Sequence, residues 1–428
     1  MHTNPTTMTQ TSHRFPMFAA FLMCFVAATG GAAADWWQFQ GPNRDGTSPE
    51  TGLLRSWPEE GPKELWSFSL GEGFAGPAVR DGEVYLLDRV GDQDILRCID
   101  LTTGEELWQY AYDAPGRVSY DGSRTPPTVA EKHVYTVGML GDFLCIDRAT
   151  GEPVWRRNIL QDFGSRTPRW GASQAPYLWG ELVIVAPQHE EAFVAAYRQD
   201  TGDLVWQSPG FGGVGYVSPV VTTLAGVEQA VMIAANRSTA GISVENGEIL
   251  WTYDGWRCRI PIAYPVTLPD DRLFITGGYD AGSAMIQIKR EGGAFTVTEL
   301  FTTDDCGSQI HQPLFYEGHL YANSNANRRS DGMLCMTLDG ERLWRTRDTR
   351  GLPRFERGSL LLADGMIITL DGRTGILHLV EPSPEGYKEL ARAKIFNDRQ
   401  MWAPMALSQG KLLLRDQSQL KCLDLRGL

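Results

Sequence analysis

An all-β chain folded as an eight-bladed β-propeller of four-stranded antiparallel blades is predicted by three features: a repeated phrase, its period and its number of copies. The phrase "LRCIDLTTGEELWQY", Leu96 to Tyr110, returns 47 residues later as "FLCIDRATGEPVWRR", Phe143 to Arg157. Aligned copies end near Trp66, Trp108, Trp155, Trp206, Trp251, Leu300, Trp344 and Leu390, at spacings of 42 to 51 residues. That period belongs to propellers or solenoids. Local pattern decides between them. Short β-rich runs joined by Asp-Gly and Glu-Gly turns read as strands and hairpins, and no 12-residue amphipathic helix pattern interrupts them.

Taken in order, the chain opens on an export signal over residues 1–34. His13 and Arg14 precede the apolar run "FPMFAAFLMCFVAATGG", and Ala32 to Ala34 give a small-x-small cleavage pattern before Asp35. Lipidation at Cys24 would need a small residue where Met23 stands. Residues 35–428 form the propeller. Lys63–Phe68, "KELWSF", is a lone outer strand. Seven complete units run from Phe74 to about Ala393. Residues 401–425 then supply three strands that lack a fourth. The lone strand completes that last blade, because an open ring would leave two sheet edges unpaired.

Within the phrase, each residue has a structural task. Gly104 takes the positive φ of the turn between the third and fourth strands. Asp100 accepts backbone N–H bonds there. Trp108 is expected to wedge between neighbouring blades. The same tasks fall to Asp147, Gly151 and Trp155, to Gly202 and Trp206, to Gly247 and Trp251, and to Gly340 and Trp344, with Trp66 ending the half-copy. Recurrence at the blade period marks these tryptophans as joints, not as a ligand cage.

Composition narrows the function. Loss of Arg14 with the leader takes the formal charge from −13 to −14, a poor balance for nucleic-acid binding. No later run offers 18 unbroken apolar residues, so the mature chain has no transmembrane segment. Cys98, Cys145, Cys335 and Cys422 lie in apolar strand-like runs and read as core residues, not as a disulfide set. No CxxC or close Cys/His group suggests a metal.

The pattern Ala-x-Asp-x-x-Thr-Gly-x-x-x-Trp resembles the repeat of the pyrroloquinoline quinone (PQQ)-type propellers. Cys98, Asp100, Thr103, Gly104 and Trp108 match it with Cys for Ala, and Cys145, Asp147, Thr150, Gly151 and Trp155 do likewise. The third copy has Arg198 in place of Asp, and the fourth has Ser243 and Asn246 in place of Asp and Thr. The opening "WWQFQGPNRDG" is similar to the start of secreted bacterial members. The resemblance implies one of two classes. One is the non-enzymatic scaffold branch that includes the outer-membrane protein assembly factor BamB, which binds polypeptides. The other is the quinoprotein dehydrogenases, which oxidise alcohols or sugars with PQQ and calcium. The family's dehydrogenases carry an adjacent cysteine pair and long insertions; neither occurs here. The expectation is therefore an exported binding protein of the periplasm or cell envelope, with no cofactor and no catalytic residue. Its partner would be an envelope protein, a peptide or an anionic small molecule. The alternative is a dehydrogenase using PQQ and calcium.

The candidate site lies in the connections between the fourth strand of one blade and the first of the next. They carry Arg117 and Arg124; Arg166, Arg169 and Trp170; Arg257 and Arg259; Arg350, Arg354 and Arg357; and Arg399 with Trp402. Phe74, Tyr120, Tyr216, Tyr264 and Phe355 accompany them, and Gln309 and His311 begin another inner strand. One reading pairs the arginines with loop carboxylates such as Asp121, Asp162, Asp304, Asp305 and Glu356. The other makes Arg124, Arg169, Trp170, Arg257, Arg259, Gln309, His311, Arg354, Arg357 and Trp402 a funnel for an anion.

Overall fold

Eight sheets follow one another along the chain, each built on four antiparallel strands called A to D from the channel outward, and the seventh carries a fifth, parallel strand. The computed structural model describes residues 1–2, 34–325 and 331–427. The segment read as an export signal therefore falls, apart from Met1, His2 and Ala34, outside the described residues. The described residues from 34 onward form one unit. The first blade comprises Ala78–Arg80, Glu83–Val90, Gln93–Asp100 and Glu106–Asp113. The eighth pairs Ala406–Ser408, Lys411–Arg415 and Gln419–Asp424 with Lys63–Ser69, so strands from the two ends of the chain close the ring. No α-helix occurs among the described residues.

The repeated phrase builds a joint between blades. In the turn after strand C, Asp100 accepts the N–H groups of Thr102 and Thr103 at 2.8 and 2.7 Å. Gly104 follows at φ 75°. A Cβ there would lie 2.7 Å from the ring of Trp66, which belongs to the preceding blade. Trp66 also donates its indole N–H to the Leu101 carbonyl at 3.0 Å. Trp108 sits on Gly151 and donates to Arg148, Trp155 on Gly202 and to Gln199, and Trp206 on Gly247 and to Val244. Only glycine tolerates both the positive φ and the overlying ring.

Every D strand carries a β-bulge one residue before the joint position. The skipped residues are Leu65, Leu107, Val154, Val205, Leu250, Leu300, Leu343 and Leu390. The extra residue increases local twist and turns the next side chain towards the neighbouring blade. In the two degenerate copies the joint positions are thus Phe301 and Ala391, one residue beyond the leucines on which the copies align. Phe301 covers Gly340 as the tryptophans cover their glycines. Trp251 departs from the pattern and donates to Gln229 of its own blade. The six cysteines Cys98, Cys145, Cys258, Cys306, Cys335 and Cys422 are free and buried in these cores.

One element has no counterpart in the repeat. The arm from Asp35 to Leu54 enters the central channel from the face of the A–B turns and returns to it. The carbonyls of Trp36 and Trp37 accept Val79 N–H of the first blade and Val129 N–H of the second. Arg44 donates to the carbonyls of Pro176 and Pro219, at the A strands of the third and fourth blades. Tyr264 of the fifth donates to the Arg44 carbonyl at 2.6 Å. Thr47–Ser48 then pairs parallel to Leu362 and Ala363 of the seventh blade, and Glu50 accepts Gln409 and Gly410 N–H of the eighth.

Candidate functional site

All eight D–A connections converge on a cavity of about 570 Å3 at the opposite end of the channel from the arm's entry. Each contributes at least one lining residue: Phe74, Arg124, Arg169, Tyr216, Arg259, His311, Arg357 and Trp402 are examples in chain order. Phe39, at the tip of the arm, also lines it. The volume is that of an ordinary small-molecule pocket. No Asp or Glu lines it among the described residues.

Four guanidiniums reach the cavity from four different connections, and each stacks on an aromatic ring. Arg124 lies 5.2 Å from the Phe74 centroid, Arg169 5.2 Å from Trp170, Arg259 5.7 Å from Tyr279 and Arg357 5.0 Å from Trp402. Stacking holds each charge at a fixed place with its in-plane N–H donors still available.

Their hydrogen bonds divide them into two pairs. Arg124 braces its own connection, donating to the carbonyls of Gly122 at 2.8 Å, Ser119 at 2.7 Å and Tyr120. Burial pushes its pKa down to about 10, so it stays charged at neutral pH. Arg357 donates to Gln309 Oε1 at 2.7 Å and lies 2.9 Å from Glu356. The Arg169 and Arg259 side chains have no hydrogen bond or ion pair with any described residue, and both residues are exposed at the mouth.

His311 lies deep in the wall and is 5% exposed. Its Nε2 faces the Trp402 carbonyl at 3.1 Å, so Nε2 carries the proton and Nδ1 is an acceptor. That Nδ1 has no hydrogen-bond partner among the described residues. Burial lowers the pKa to about 4, which keeps the ring neutral at neutral pH.

Of the ten residues singled out in the sequence, the fold brings Arg124, Arg169, Trp170, Arg259, Gln309, His311, Arg357 and Trp402 to the cavity. Arg257 and Arg354 are exposed and lie outside its lining. Phe74, Tyr120 and Tyr216 line it. Tyr264 instead holds the arm, and Phe355 packs on His378. Among the anticipated loop pairs, Arg117–Asp121 at 3.2 Å and Arg357–Glu356 occur. Sequence reading missed Phe39, Tyr279 and the isoleucines 260, 262 and 310. The signal for the isoleucines was present, since Ile260 directly follows Arg259, Ile262 lies two residues further on, and Ile310 stands between Gln309 and His311.

The comparisons with known proteins agree with this architecture. The profile of a family described as "Outer membrane protein assembly factor BamB" matches residues 91–255. BamB from Moraxella catarrhalis overlays with a TM-score of 0.60 at 15% identity, over 85% of this chain and 97% of that one. The chain has the fold of the PQQ-like β-propellers, and residues 91–255 match their repeat family. A europium-containing methanol dehydrogenase overlays on this PQQ-like propeller with a TM-score of 0.64 at 14% identity, over 89% of each chain. The quinohemoprotein alcohol dehydrogenase from Comamonas testosteroni gives 0.63 at 13% identity, over 92% of this chain and 81% of that one. No curated protein sequence matches. Likenesses at such identities carry the fold and leave function to the site.

The dehydrogenases' quinone works with a metal ion, which tests the cavity of the PQQ-like propeller. Calcium needs six to eight oxygen ligands, with carboxylates prominent among them. The described lining offers four arginines and no carboxylate, and no described group of three His, Cys, Asp or Glu side chains could hold a metal. These residues do not fit a calcium-linked quinone.

Proposed function

We propose that this propeller is an exported, non-enzymatic binding protein that captures an anionic group, on an envelope polypeptide or a small molecule, in the arginine and aromatic cavity. One observation carries the reading. Arg169 and Arg259, from different connections, are each held by an aromatic ring at the mouth and lack a partner among the described residues. Two like charges at one opening repel, and a carboxylate between them relieves that repulsion through charge-assisted hydrogen bonds. The chain's overall acidity makes this basic spot a local feature, so it selects by contact more than by long-range attraction. No helix among the described residues is long and apolar enough to cross a membrane, which is compatible with export.

The test compares benzoate with the neutral benzamide by calorimetric titration of the parent and of R169Q/R259Q. Benzoate should bind the parent and benzamide should not. The double variant should lose about tenfold or more in affinity, since a hydrogen bond to a charged group contributes about 1.5–3 kcal/mol, and should melt within a degree of the parent. R124Q should instead lower the melting temperature, because three loop carbonyls lose their donor. Equal binding of benzamide, or unchanged benzoate affinity in R169Q/R259Q, would refute the anion site. Dye-linked alcohol oxidation on adding PQQ and Ca2+ would turn the assignment to a dehydrogenase.

A further inference from the structure

The arm from Asp35 to Leu54 makes the cavity blind. Its tip is locked from below. Arg44 is 3% exposed and donates to Gln38 Oε1 at 3.0 Å, to the Pro219 carbonyl at 2.7 Å and to the Pro176 carbonyl. Its guanidinium lies 4.7 Å from the Tyr177 ring centroid. The Trp36 ring covers Gly41, where a Cβ would approach to 2.9 Å at φ 82°. Tyr264 donates to the Arg44 carbonyl and meets Phe39 edge-on at 5.6 Å. Phe39 is therefore a fixed aromatic surface inside the channel, and the cavity ends on it.

Polarity changes along the depth of the cavity. At the mouth stand the exposed guanidiniums of Arg169 and Arg259. The rest of the lining includes Ile310, buried and neutral His311 and, at the arm's tip, Phe39, while the half-buried Arg124 and Arg357 already donate to loop carbonyls and to Gln309. A charged group is favoured at the first level, and apolar surface at the last. A ligand with an anion at both ends would bury one of them against the Phe39 ring.

We propose that the N-terminal arm is a ligand-binding element. The cavity takes a monoanionic amphiphile apolar end first, with Phe39 limiting the length of the apolar part and Arg169 and Arg259 holding a carboxylate at the mouth. This rests on the anion site proposed above and adds the orientation, the charge count and the measuring surface.

The experiment titrates straight-chain carboxylates from butanoate to dodecanoate, and decanedioate beside decanoate, into the parent, F39A, F39W and R169Q/R259Q. Affinity should rise roughly fourfold per methylene, the gain from burying one CH2, up to a chain length at which it levels or falls. F39A should move that limit to longer chains and F39W to shorter ones. The two changes act in opposite directions, so a general loss of folding cannot imitate them. Decanedioate should bind at least tenfold more weakly than decanoate. A carboxylate affinity that depends on Arg169 and Arg259 but has no length limit, or a limit unmoved by both Phe39 variants, overturns the role of the arm and leaves the anion site standing. Equal affinity for decanedioate overturns the orientation. If no carboxylate binds the parent, or binding ignores R169Q/R259Q, both proposals fall.

Discussion

Trp66→Ala should open the ring. The side chain is 9% exposed, covers Gly104 of the first blade and donates to the Leu101 carbonyl. Truncating a buried tryptophan costs about 3–5 kcal/mol, and the buried carbonyl left without this donor adds about 1 kcal/mol. Trp66 lies at a rim that solvent partly enters, so about 4 kcal/mol is expected. For a chain of this size that lowers the melting temperature by about 5 °C. Trp206→Ala is the matched control, because it removes the same kind of contact between the third and fourth blades. Both variants should lose similar stability. They should differ in amide exchange. The strand around Trp206 stays tied to its neighbours by the chain on both sides, whereas Lys63–Ser69 has no direct chain connection to the other strands of the eighth blade and is held there by pairing with Gln419–Asp424. Exchange measured by mass spectrometry should rise at Gln419–Asp424 in Trp66→Ala and stay at the parent level there in Trp206→Ala. A loss below about 1 kcal/mol would be too small for a buried joint. That result, or unchanged protection of Gln419–Asp424, would refute the closure argument.

Two further outcomes follow from the same structure. His311 has a folded pKa of about 4, below its ordinary 6.5, so the unfolded chain takes up the proton first as pH falls. Its contribution is complete above pH 6.5 and declines towards pH 4 by roughly 3 kcal/mol. Melting curves of H311N should therefore show a shallower fall between pH 7 and 4 than the parent, and parallel curves would remove the linkage. The mature chain is expected to start at Asp35, and mass spectrometry of exported protein that still carried residues 1–34 would exclude that cleavage.

Blade number, ring closure and joint chemistry were legible because they repeat. Asp100, Gly104 and Trp108 announce a turn and a wedge, and the same spacing at Asp147, Gly151 and Trp155 removes coincidence. The position of the joint within degenerate copies was less legible. A bulge separates Leu300 from Phe301 and Leu390 from Ala391, and a bulge has no composition of its own. At the site, position was readable and commitment was not. The blade register sends Arg124, Arg169, Arg259 and Arg357 to one face, but backbone carbonyls satisfy Arg124 and leave Arg169 unused, and carbonyls leave no trace in the side-chain sequence. The arm was opaque for a different reason. "WWQFQGPNRDG" occurs once, and its partners Pro176, Pro219 and Tyr264 lie 132, 175 and 220 residues from Arg44.

Those separations bear on the order in which the molecule is assembled. The arm is among the first segments to be synthesised, yet its hydrogen bonds reach Gln409 and Gly410, 359 and 360 residues downstream. Blades form from local hairpins and need only short loops to close, so they organise as they emerge. Trp36 and Trp37 can meet the first two blades early, but the arm's full set of partners exists only when the last blade is present. Contacts of such long sequence separation form slowly, so complete seating of the arm is expected late, and it converts a ring of blades into a vessel with a bottom.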